Sequence, residues 1–449
     1  MLRDVNRFKM FPELLVAHAD HALLLTRVHG RIEKGLEGFY RHQTRFLSRL
    51  TFTVNGHVPA FVSANPVDPY SFIAYYHAAA AAGRAAGPDP GDDRSDGGEI
   101  VEKGIEVQIN RFVGGGMHQD MLVTNHTLAE AEVAIAWAID ADFADLTEAV
   151  EDRRSQSAEV ERQWAHFASY GELSFHYMHP ALKHGTVLRF PREDAELAFE
   201  GDQVVVRMTL APQETKRQCL DVLPIFSGEL AAPNYHCDAF RSHRTPWDEA
   251  RDAWAREVTK LKTPSGLVQD AWDRAVSDLG SLPLYEGRGA ERYTPAAGLP
   301  IYQALFGRDT LTAAWQSSLL SPVMLQGTIE LLARHIGTKV DDRFDEQPGR
   351  MIHQRQLSPL SLLGQNPYLH YWGDYAGPGL FLVAVAWHYS LTGDKAFVRK
   401  LRDPVMAVLE WIDREADRDG DGFYEYATRA GDWGTKNQGG KDSEQAILY

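Results

Sequence analysis

The sequence predicts two structural regions, a β-sandwich followed by an α/α toroid. Up to about residue 240, short apolar runs alternate with polar residues and turn signals such as Asn55-Gly56, as expected for strands. From Trp247 onward, apolar residues recur with the period of a helix. A chain of 449 residues is long enough for two such domains.

Many strands and few helix signals favour a β-sandwich for the front region. The Asn55-Gly56 turn predicts a hairpin between residues 45–54 and 58–62, because both turn residues tolerate positive φ. The further predicted strands are 23–28, 105–113, 121–125, 132–139, 173–177, 187–190 and 204–208.

A linking helix is predicted from Trp247 to Lys260, with Pro246 at a helix-start position. Helices that stack in pairs, with the functional loops at one end, favour a toroid. An open helical array is the alternative. The further predicted helices are 266–281, 310–320, 323–336, 378–392 and 396–416. The expected domains are a β-sandwich at 1–242, a linker at 243–265 and the first half of a toroid at 266–449.

Composition and charge exclude several functions. The net charge is −16 with no basic patch, so no nucleic-acid partner is expected, whereas a neutral carbohydrate is compatible with this surface. No apolar stretch is long enough to span a bilayer, and the first residues lack a secretory h-region. We therefore expect a cytoplasmic protein with no membrane partner. Its oligomeric state is not predicted.

Gly307-Arg308-Asp309-Thr310 is the most informative local feature. It lies where a loop turns into an apolar-periodic helix. The guanidinium donors of Arg308 beside the Asp309 carboxylate suit a polyhydroxylated ligand. The alternative is helix capping by Asp309 or Thr310, with Arg308 on the surface.

Three further loops carry polar or aromatic side chains. In residues 366–378, Tyr371 and Trp372 could stack on sugar rings while Asp374 accepts from hydroxyls. The alternative is that the aromatics anchor the loop and Asp374 caps a helix. In residues 434–443, Asp442 is either an N-cap or a positioned acid. Residues 345–353 are an exposed polar loop or a fourth part of the site.

No cofactor or metal is expected. Residues 417–422 match the first half of a calcium loop, but the twelfth position is Thr428 instead of a bidentate Glu, which favours a turn between helices. Zinc is not expected either, because there is no Cys pair and because His18 and His21 lack partners at ligand spacing. The two cysteines are Cys219 and Cys237. They could form one disulfide, and we expect two buried thiols.

These segments together resemble the bacterial glycogen debranching enzyme (amylo-α-1,6-glucosidase) family, related to glucoamylases and trehalases with six-hairpin (α/α)6 barrels. The resemblance rests on motifs that occur in this order: Phe306-Gly-Arg-Asp-Thr310, Glu346-Gln-Pro-Gly-Arg-Met-Ile-His353, Tyr371-Trp-Gly-Asp-Tyr375 and Asn437-Gln-Gly-Gly-Lys-Asp-Ser443. Residues 39–48 are close to the F-H-R-D-T-R-F-L-S pattern of the family's N-terminal β domain.

The resemblance implies roles for individual residues. Arg308 and Asp309 match a pair that grips the terminal glucose, and Asp442 matches the general acid. Gly440 stands where the family usually has Trp, which removes a stacking face. By the same resemblance, the further residues expected to bind substrate are Glu346, Tyr371, Trp372, Asp374, Asn437, Gln438 and Lys441.

The implied activity is inverting hydrolysis of α-glucosidic bonds in glycogen-like α-glucans or oligosaccharides. An acid protonates the glycosidic oxygen, and a carboxylate about 6.5–9.5 Å away activates water. The family's base comes from a later part of the barrel, so this chain alone is expected to lack activity. The alternatives are a hydrolase of a small glycoside or disaccharide, and a non-catalytic carbohydrate-binding protein with a degenerate pocket.

Overall fold

The computed structural model describes residues 14–80, 101–192, 195–237, 246–284 and 294–441. The chain divides into two compact units between residues 243 and 244. The first unit consists mainly of antiparallel strands, and the second consists mainly of helices. The predicted order of a β-rich region followed by a helical region is therefore confirmed.

Among its described residues, the first unit contains one short helix, α1 (Leu146–Glu151). The strands are β1 (Leu14–Ala19), β2 (Ala22–Arg27), β3 (Gly38–Arg41), β4 (Thr44–Leu47), β5 (Arg49–Val54), β6 (Ala60–Asp68), β7 (Ser71–Ala80), β8 (Val101–Gly114), β9 (Gly116–Asn125), β10 (Ala131–Asp140), β11 (Val160–His166), β12 (Tyr170–Tyr177), β13 (Gly185–Pro191), β14 (Glu196–Glu200), β15 (Gln203–Leu210), β16 (Thr215–Phe226) and β17 (Glu229–Leu230).

These strands form antiparallel sheets that pack through apolar faces. The largest has the order β11-β12-β13-β16-β9-β8-β7-β6, with β17 beside β16, and the others have the orders β14-β15-β10-β5 and β1-β2-β3-β4. Ring contacts join β5 to β7 through Phe52 and Tyr76, and β10 to β13 through Trp137 and Phe190. All four rings are buried, so the core lies between the sheets.

At Asn55-Gly56 the predicted turn is present, but the predicted pairing of the two flanking strands is wrong. Both residues have positive φ, and Val54 and His57 form a bridge. However, β5 pairs with β10, and β6 pairs with β7 in another sheet. Asn55 explains this outcome, because its backbone N–H and side-chain oxygen both bond to Ala134 of β10. Tertiary pairing has overridden the local turn signal.

The expectation of two separate buried thiols is also wrong. Cys219 lies on β16 and is buried, whereas Cys237 is half-buried, and the two sulfur atoms are bonded. Their Cα atoms are 6.3 Å apart, within the range that a disulfide spans.

The second unit contains eight helices among its described residues, with four two-residue strands. The helices are α2 (Pro246–Glu257), α3 (Gly266–Leu279), α4 (Gly307–Ser317), α5 (Val323–Ala333), α6 (Pro359–Leu362), α7 (Ala376–Thr392), α8 (Lys395–Lys400) and α9 (Arg402–Trp411). The strands are β18 (Pro283–Leu284), β19 (Thr294–Pro295), β20 (Leu305–Phe306) and β21 (Gln354–Arg355).

The helical core is built around α4, α5 and α7, which contribute buried side chains such as Leu311, Ile329 and Phe381. Helix α7 ends at Gly393, whose φ of 66° suits a residue without Cβ. A closed (α/α)6 ring stays a prediction. A search of the described residues found no helix with the length and apolar character needed to cross a membrane.

Candidate active site

The four motif segments of the second unit come together through backbone hydrogen bonds. Gly307 N donates to His353 O at 2.7 Å, and His353 N donates to Tyr371 O at 2.7 Å. Tyr375 N then donates to Gln438 O at 2.8 Å. The segments around residues 307, 353, 371 and 438 therefore form one continuous structure.

Helix α4 presents Arg308 to this structure because it starts directly after β20, which pairs with β21. A Cβ atom on Gly307 would lie 2.0 Å from Ile352 O, so only glycine allows this approach. The N-cap is Phe306, which makes no side-chain cap hydrogen bond, and Thr310 donates to Pro295 O. Helix capping by Asp309 or Thr310 therefore does not account for the motif.

Arg308 and Asp374 form the polar centre of the site. One guanidinium nitrogen of Arg308 lies 3.6 Å from Asp374 Oδ2, and the two side chains are 12% and 0% exposed. Asp374 Oδ1 accepts from the backbone N–H groups of Ala376 and Gly377, which fixes the carboxylate at the start of α7. Oδ2 is buried and accepts no hydrogen bond from the described residues. An unsatisfied buried carboxylate oxygen is costly unless a ligand supplies a donor.

A second buried carboxylate, Asp345, holds the surrounding loops. Its Oδ2 accepts from Tyr371 Oη at 2.7 Å, Thr428 Oγ1 at 3.0 Å and Gln438 Nε2 at 3.0 Å. Its Oδ1 accepts from Arg429 N. Burial raises the pKa of Tyr371, and the charge and hydrogen bond of Asp345 raise it further, so this phenol stays a donor. Asp345 therefore joins three of the converging segments.

Arg350 provides the positive charge nearest to Asp345. Its side chain is fully buried, 4.0 Å from Asp345 Oδ1, and it donates to Asp345 O and to Gln438 Oε1. The guanidinium lies 4.8 Å from the ring centre of Tyr375 and 5.4 Å from that of Trp411. Burial lowers the pKa of Arg350, whereas the nearby acidic groups raise it. Residues 345–350 are thus an internal polar network, and the exposed-loop interpretation is wrong.

The other sequence-predicted residues occupy different surroundings. Tyr371, Gln438 and Asn437 are buried, the first two in the Asp345 network. Trp372 packs in the helical core and donates from its indole to His335 O. Asp309 and Lys441 are exposed.

Of two further predicted carboxylates, the structure describes one. Glu346 is buried and accepts from Thr338 N and Lys339 N, so its carboxylate anchors a neighbouring turn. Asp442, the predicted general acid, lies outside the described residues.

Sequence reasoning did not single out Asp345 or Arg350. Both lie in the second quoted motif segment or directly before it, and the available signal was the density of polar residues between two apolar runs. Which of those residues turn inward depends on contacts with segments up to 93 positions away. The sequence alone could not show this.

The loop after α9 has the arrangement of a turn. Asp417 Oδ1 accepts from Gly420 N and Asp417 Oδ2 from Gly422 N, whereas Asp421 Oδ1 accepts from Phe423 N. The carboxylates bond to the loop's own backbone, as in a turn. Asp417, Asp419, Asp421 and Glu425 also each offer an oxygen atom within 4.8 Å of the others, so the turn without a cation stays a prediction.

Comparison with solved structures gives a fold match that covers most of this chain. The structure titled "Putative kojibiose phosphorylase from human microbiome" has a TM-score of 0.51 and 9% sequence identity, covering 91% of this chain. This chain spans 54% of that structure, about half its length. A polysaccharide lyase matches with 10% identity over 89% of this chain and 68% of its own, and its TM-score of 0.20 carries no argument. At these identities the likeness shows the fold alone.

Comparison of sequences locates a family in the first unit. The search of curated proteins found no match. Residues 18–221 match the model described as "N-terminal domain of (some) glycogen debranching enzymes". The predicted resemblance to glycogen debranching enzymes is thus confirmed for this part of the chain, which matches the model of their N-terminal domain.

Proposed function

We propose that this chain belongs to a glycoside hydrolase of the glycogen-debranching type, which cleaves α-glucosidic bonds in glycogen-like α-glucans or oligosaccharides. The observation that carries the proposal is the buried, unsatisfied Asp374 Oδ2 beside Arg308, where four loops meet. A carboxylate oxygen next to guanidinium donors can accept from one sugar hydroxyl while the guanidinium donates to another. The debranching-type N-terminal domain supports a glucan as the source of that sugar.

The proposal gives each group a role. Arg308 and Asp374 hold the terminal glucose, and Asp309 meets the same sugar from the exposed first turn of α4. Tyr371 and Gln438 position the loops through Asp345. Asp442, assigned from its motif, protonates the glycosidic oxygen while a carboxylate on the opposite side removes a proton from water. The C–O bond to the leaving sugar breaks as water adds to the anomeric carbon, with inversion.

A second function is phosphorolysis, in which inorganic phosphate replaces water and the product is a glucose phosphate. The fold match to a structure whose title names a phosphorylase favours this alternative. A third possibility is a carbohydrate-binding protein with a degenerate pocket, which the small Gly440 favours.

Product analysis distinguishes these functions. The full-length gene product is incubated with maltooligosaccharides and limit dextrin, with and without phosphate, beside its Asp442→Asn variant. We expect free glucose of inverted configuration without phosphate, and a kcat lowered by about 10²–10⁴-fold in the variant with sugar binding retained. Glucose phosphate formed only with phosphate would establish phosphorolysis. Binding without cleavage would establish the third function.

A further inference from the structure

A cluster of metal-binding side chain types lies on one face of the large sheet in the first unit. Strands β9 and β16 are antiparallel neighbours whose register places Cys219 opposite Asp120 and Asp221 opposite His118. Residues two apart on a strand point to the same face, and directly opposite residues share that face. The pairing therefore brings an imidazole, a cysteine sulfur and two carboxylates together.

Cys237 reaches the same place from the segment that follows β17, and its sulfur is bonded to that of Cys219. Tyr235 anchors this segment, because its ring stacks on Tyr70 with centroids 5.5 Å apart and contacts Phe112 at 5.2 Å. Phe112 in turn stacks on the His118 ring. The position of Cys237 is thus fixed by packing beyond its bond to Cys219.

The orientation of His118 is that of a metal ligand. His118 Nδ1 is 2.6 Å from Asp221 Oδ1, so this carboxylate holds one ring nitrogen and directs Nε2 to the other side. Nε2 lies 3.1 Å from Asp120 Oδ1, and Cys219 Sγ lies 3.2 Å from the same oxygen. Metal-bound histidines usually give their other ring nitrogen to a carboxylate in this way.

The donor set and its spacing fit zinc. One ligand atom from each of four residues lies within 4.8 Å of all the others: His118, Asp120, Cys219 and Cys237. A tetrahedral zinc with bonds of about 2.0–2.3 Å has donors roughly 3.3–3.8 Å apart, so small side-chain rotations suffice once the sulfur atoms separate. Thiolate and imidazole ligands favour zinc over magnesium or calcium.

The cluster is buried but accessible from one side. His118 and Cys219 are almost fully buried, which protects a bound ion from water. Asp120 also lines a cavity of about 450 Å³ together with Asn110 and Arg217. This cavity gives an ion a path to the cluster.

We propose that the reduced protein binds one zinc ion through four side chains of this cluster, His118, Asp120, Cys219 and Cys237, with Asp221 as a positioning residue. A dithiol reductant supplies two electrons and two protons to the Cys219–Cys237 bond, gives two thiols and becomes a disulfide itself. Zinc then displaces the thiol protons and any proton on His118 Nε2. Reoxidation by a disulfide reverses both steps and releases the ion, so the oxidised and zinc-bound forms exclude each other.

The test uses the whole chain. Protein is reduced with a small dithiol, mixed with zinc sulfate under nitrogen and desalted, and its zinc is measured by mass spectrometry of the metal. We expect about one zinc per chain in the reduced protein, none in the oxidised protein and none in Cys237→Ser. Asp221→Asn is expected to weaken zinc binding about 10–100-fold. Asp202→Asn, in the exposed turn between β14 and β15, is the matched control and retains the zinc.

Cobalt provides a second readout that does not depend on a variant folding. Cobalt added to the reduced wild-type protein is expected to give a thiolate-to-cobalt charge-transfer band and the visible bands of a tetrahedral site, both absent after oxidation. Absence of the charge-transfer band would overturn the proposal. Equal zinc retention by the reduced wild type and a folded Cys237→Ser variant would also overturn it.

Discussion

Asp374 is the residue whose environment most directly indicates a ligand. One of its oxygens fixes the start of α7, while the other is buried 3.6 Å from Arg308 without a donor among the described residues. The sequence placed both residues in loops of a sugar site. It could not show that one carboxylate oxygen accepts from the backbone of α7 while the other faces Arg308, because this depends on how α4 packs against α7.

Replacing Arg308 by Lys tests the need for a planar guanidinium. Lysine keeps the positive charge but loses the fork of donors that can bind two sugar oxygens at once. We expect maltose affinity to fall about tenfold, equivalent to about 1.4 kcal/mol, with little change in thermal stability. Calorimetric titration measures the affinity. Unchanged binding would show that charge alone is sufficient.

His184 gives the first unit a specific pH dependence. Burial lowers the pKa of His184 to about 4, while its Nδ1 accepts from Ser227 N and its ring stacks on Phe226. The unfolded chain, with a pKa near 6.5, takes up a proton that the folded state excludes between pH 6.5 and 4. Stability from the neutral ring is therefore complete above pH 6.5 and is lost as the pH falls towards 4.

The His184→Asn variant isolates this effect, because Asn keeps an acceptor and does not titrate. The difference in unfolding free energy between wild type and variant is expected to change by about 3 kcal/mol across this window, at about 1.36 kcal/mol per pKa unit. Urea unfolding at several pH values measures it. Parallel pH profiles of the two proteins would rule out this assignment.

At the scale of elements, the site depends on close backbone contact between β20, α4 and the segment before β21. Gly307→Ala places a methyl group against Ile352 O, and neither backbone can move away without breaking the Gly307–His353 hydrogen bond. We expect a loss of about 2–3 kcal/mol in unfolding free energy.

The control is Gly379→Ala in α7, where the added methyl meets no atom within 4 Å. That helix position should gain about 0.5–1 kcal/mol. Equal effects of the two substitutions on thermal unfolding would contradict this account.

The Asp345 network predicts a second contrast. In Asp345→Asn, the new amide N–H group faces side chains that are themselves donors, and the negative charge beside Arg350 is lost. We therefore expect the free energy of unfolding to fall by about 3 kcal/mol. Asp342→Asn, three residues earlier, breaks only the exposed ion pair with Arg429 and should cost less than about 1 kcal/mol. Denaturant unfolding compares the two variants, and similar losses would show that Asp345 does not hold the loops.

Helices and strands were predictable where the local sequence pattern is regular. They were not predictable where pairing with a distant strand determines the structure. The helix predicted at 378–392 appears as α7, and the strand at 132–139 as β10. Strand β16 was missed, because Lys216, Arg217 and Gln218 interrupt its apolar pattern. The position of Cys219 opposite Asp120 depends on that strand, which is why the metal-binding side chain cluster could not be found from spacing.

At the scale of the whole molecule, each compact unit contains its own buried core. The first unit has the size of an ordinary domain, and its sheets close over buried side chains such as Trp137 and Phe190. We therefore expect residues 1–243, expressed alone, to fold with a strand-rich circular dichroism spectrum and a cooperative unfolding transition. A fragment without cooperative unfolding would show that this unit needs the rest of the chain.

The order of a β-rich region followed by a helical region was predictable from the spacing of apolar residues alone. This spacing alternates up to about residue 240 and has the period of a helix from Trp247 onward. Closure of the helices into a ring was not predictable, since it depends on which helix faces meet. The resemblance to glycogen debranching enzymes was recognisable from short motifs, and the match over residues 18–221 covers most of the first unit.

The most direct test of the proposed sugar site is the affinity of this chain and its Asp374→Asn variant for maltose, measured by calorimetry. Asn keeps the oxygen that accepts from Ala376 and Gly377, so the start of α7 is preserved, and only the second oxygen becomes a donor. We predict that the wild-type chain binds maltose and that the variant binds it at least about tenfold more weakly with the same melting temperature. Equal affinity in the two proteins would contradict the assignment of Asp374 and Arg308 as the group that holds the terminal sugar.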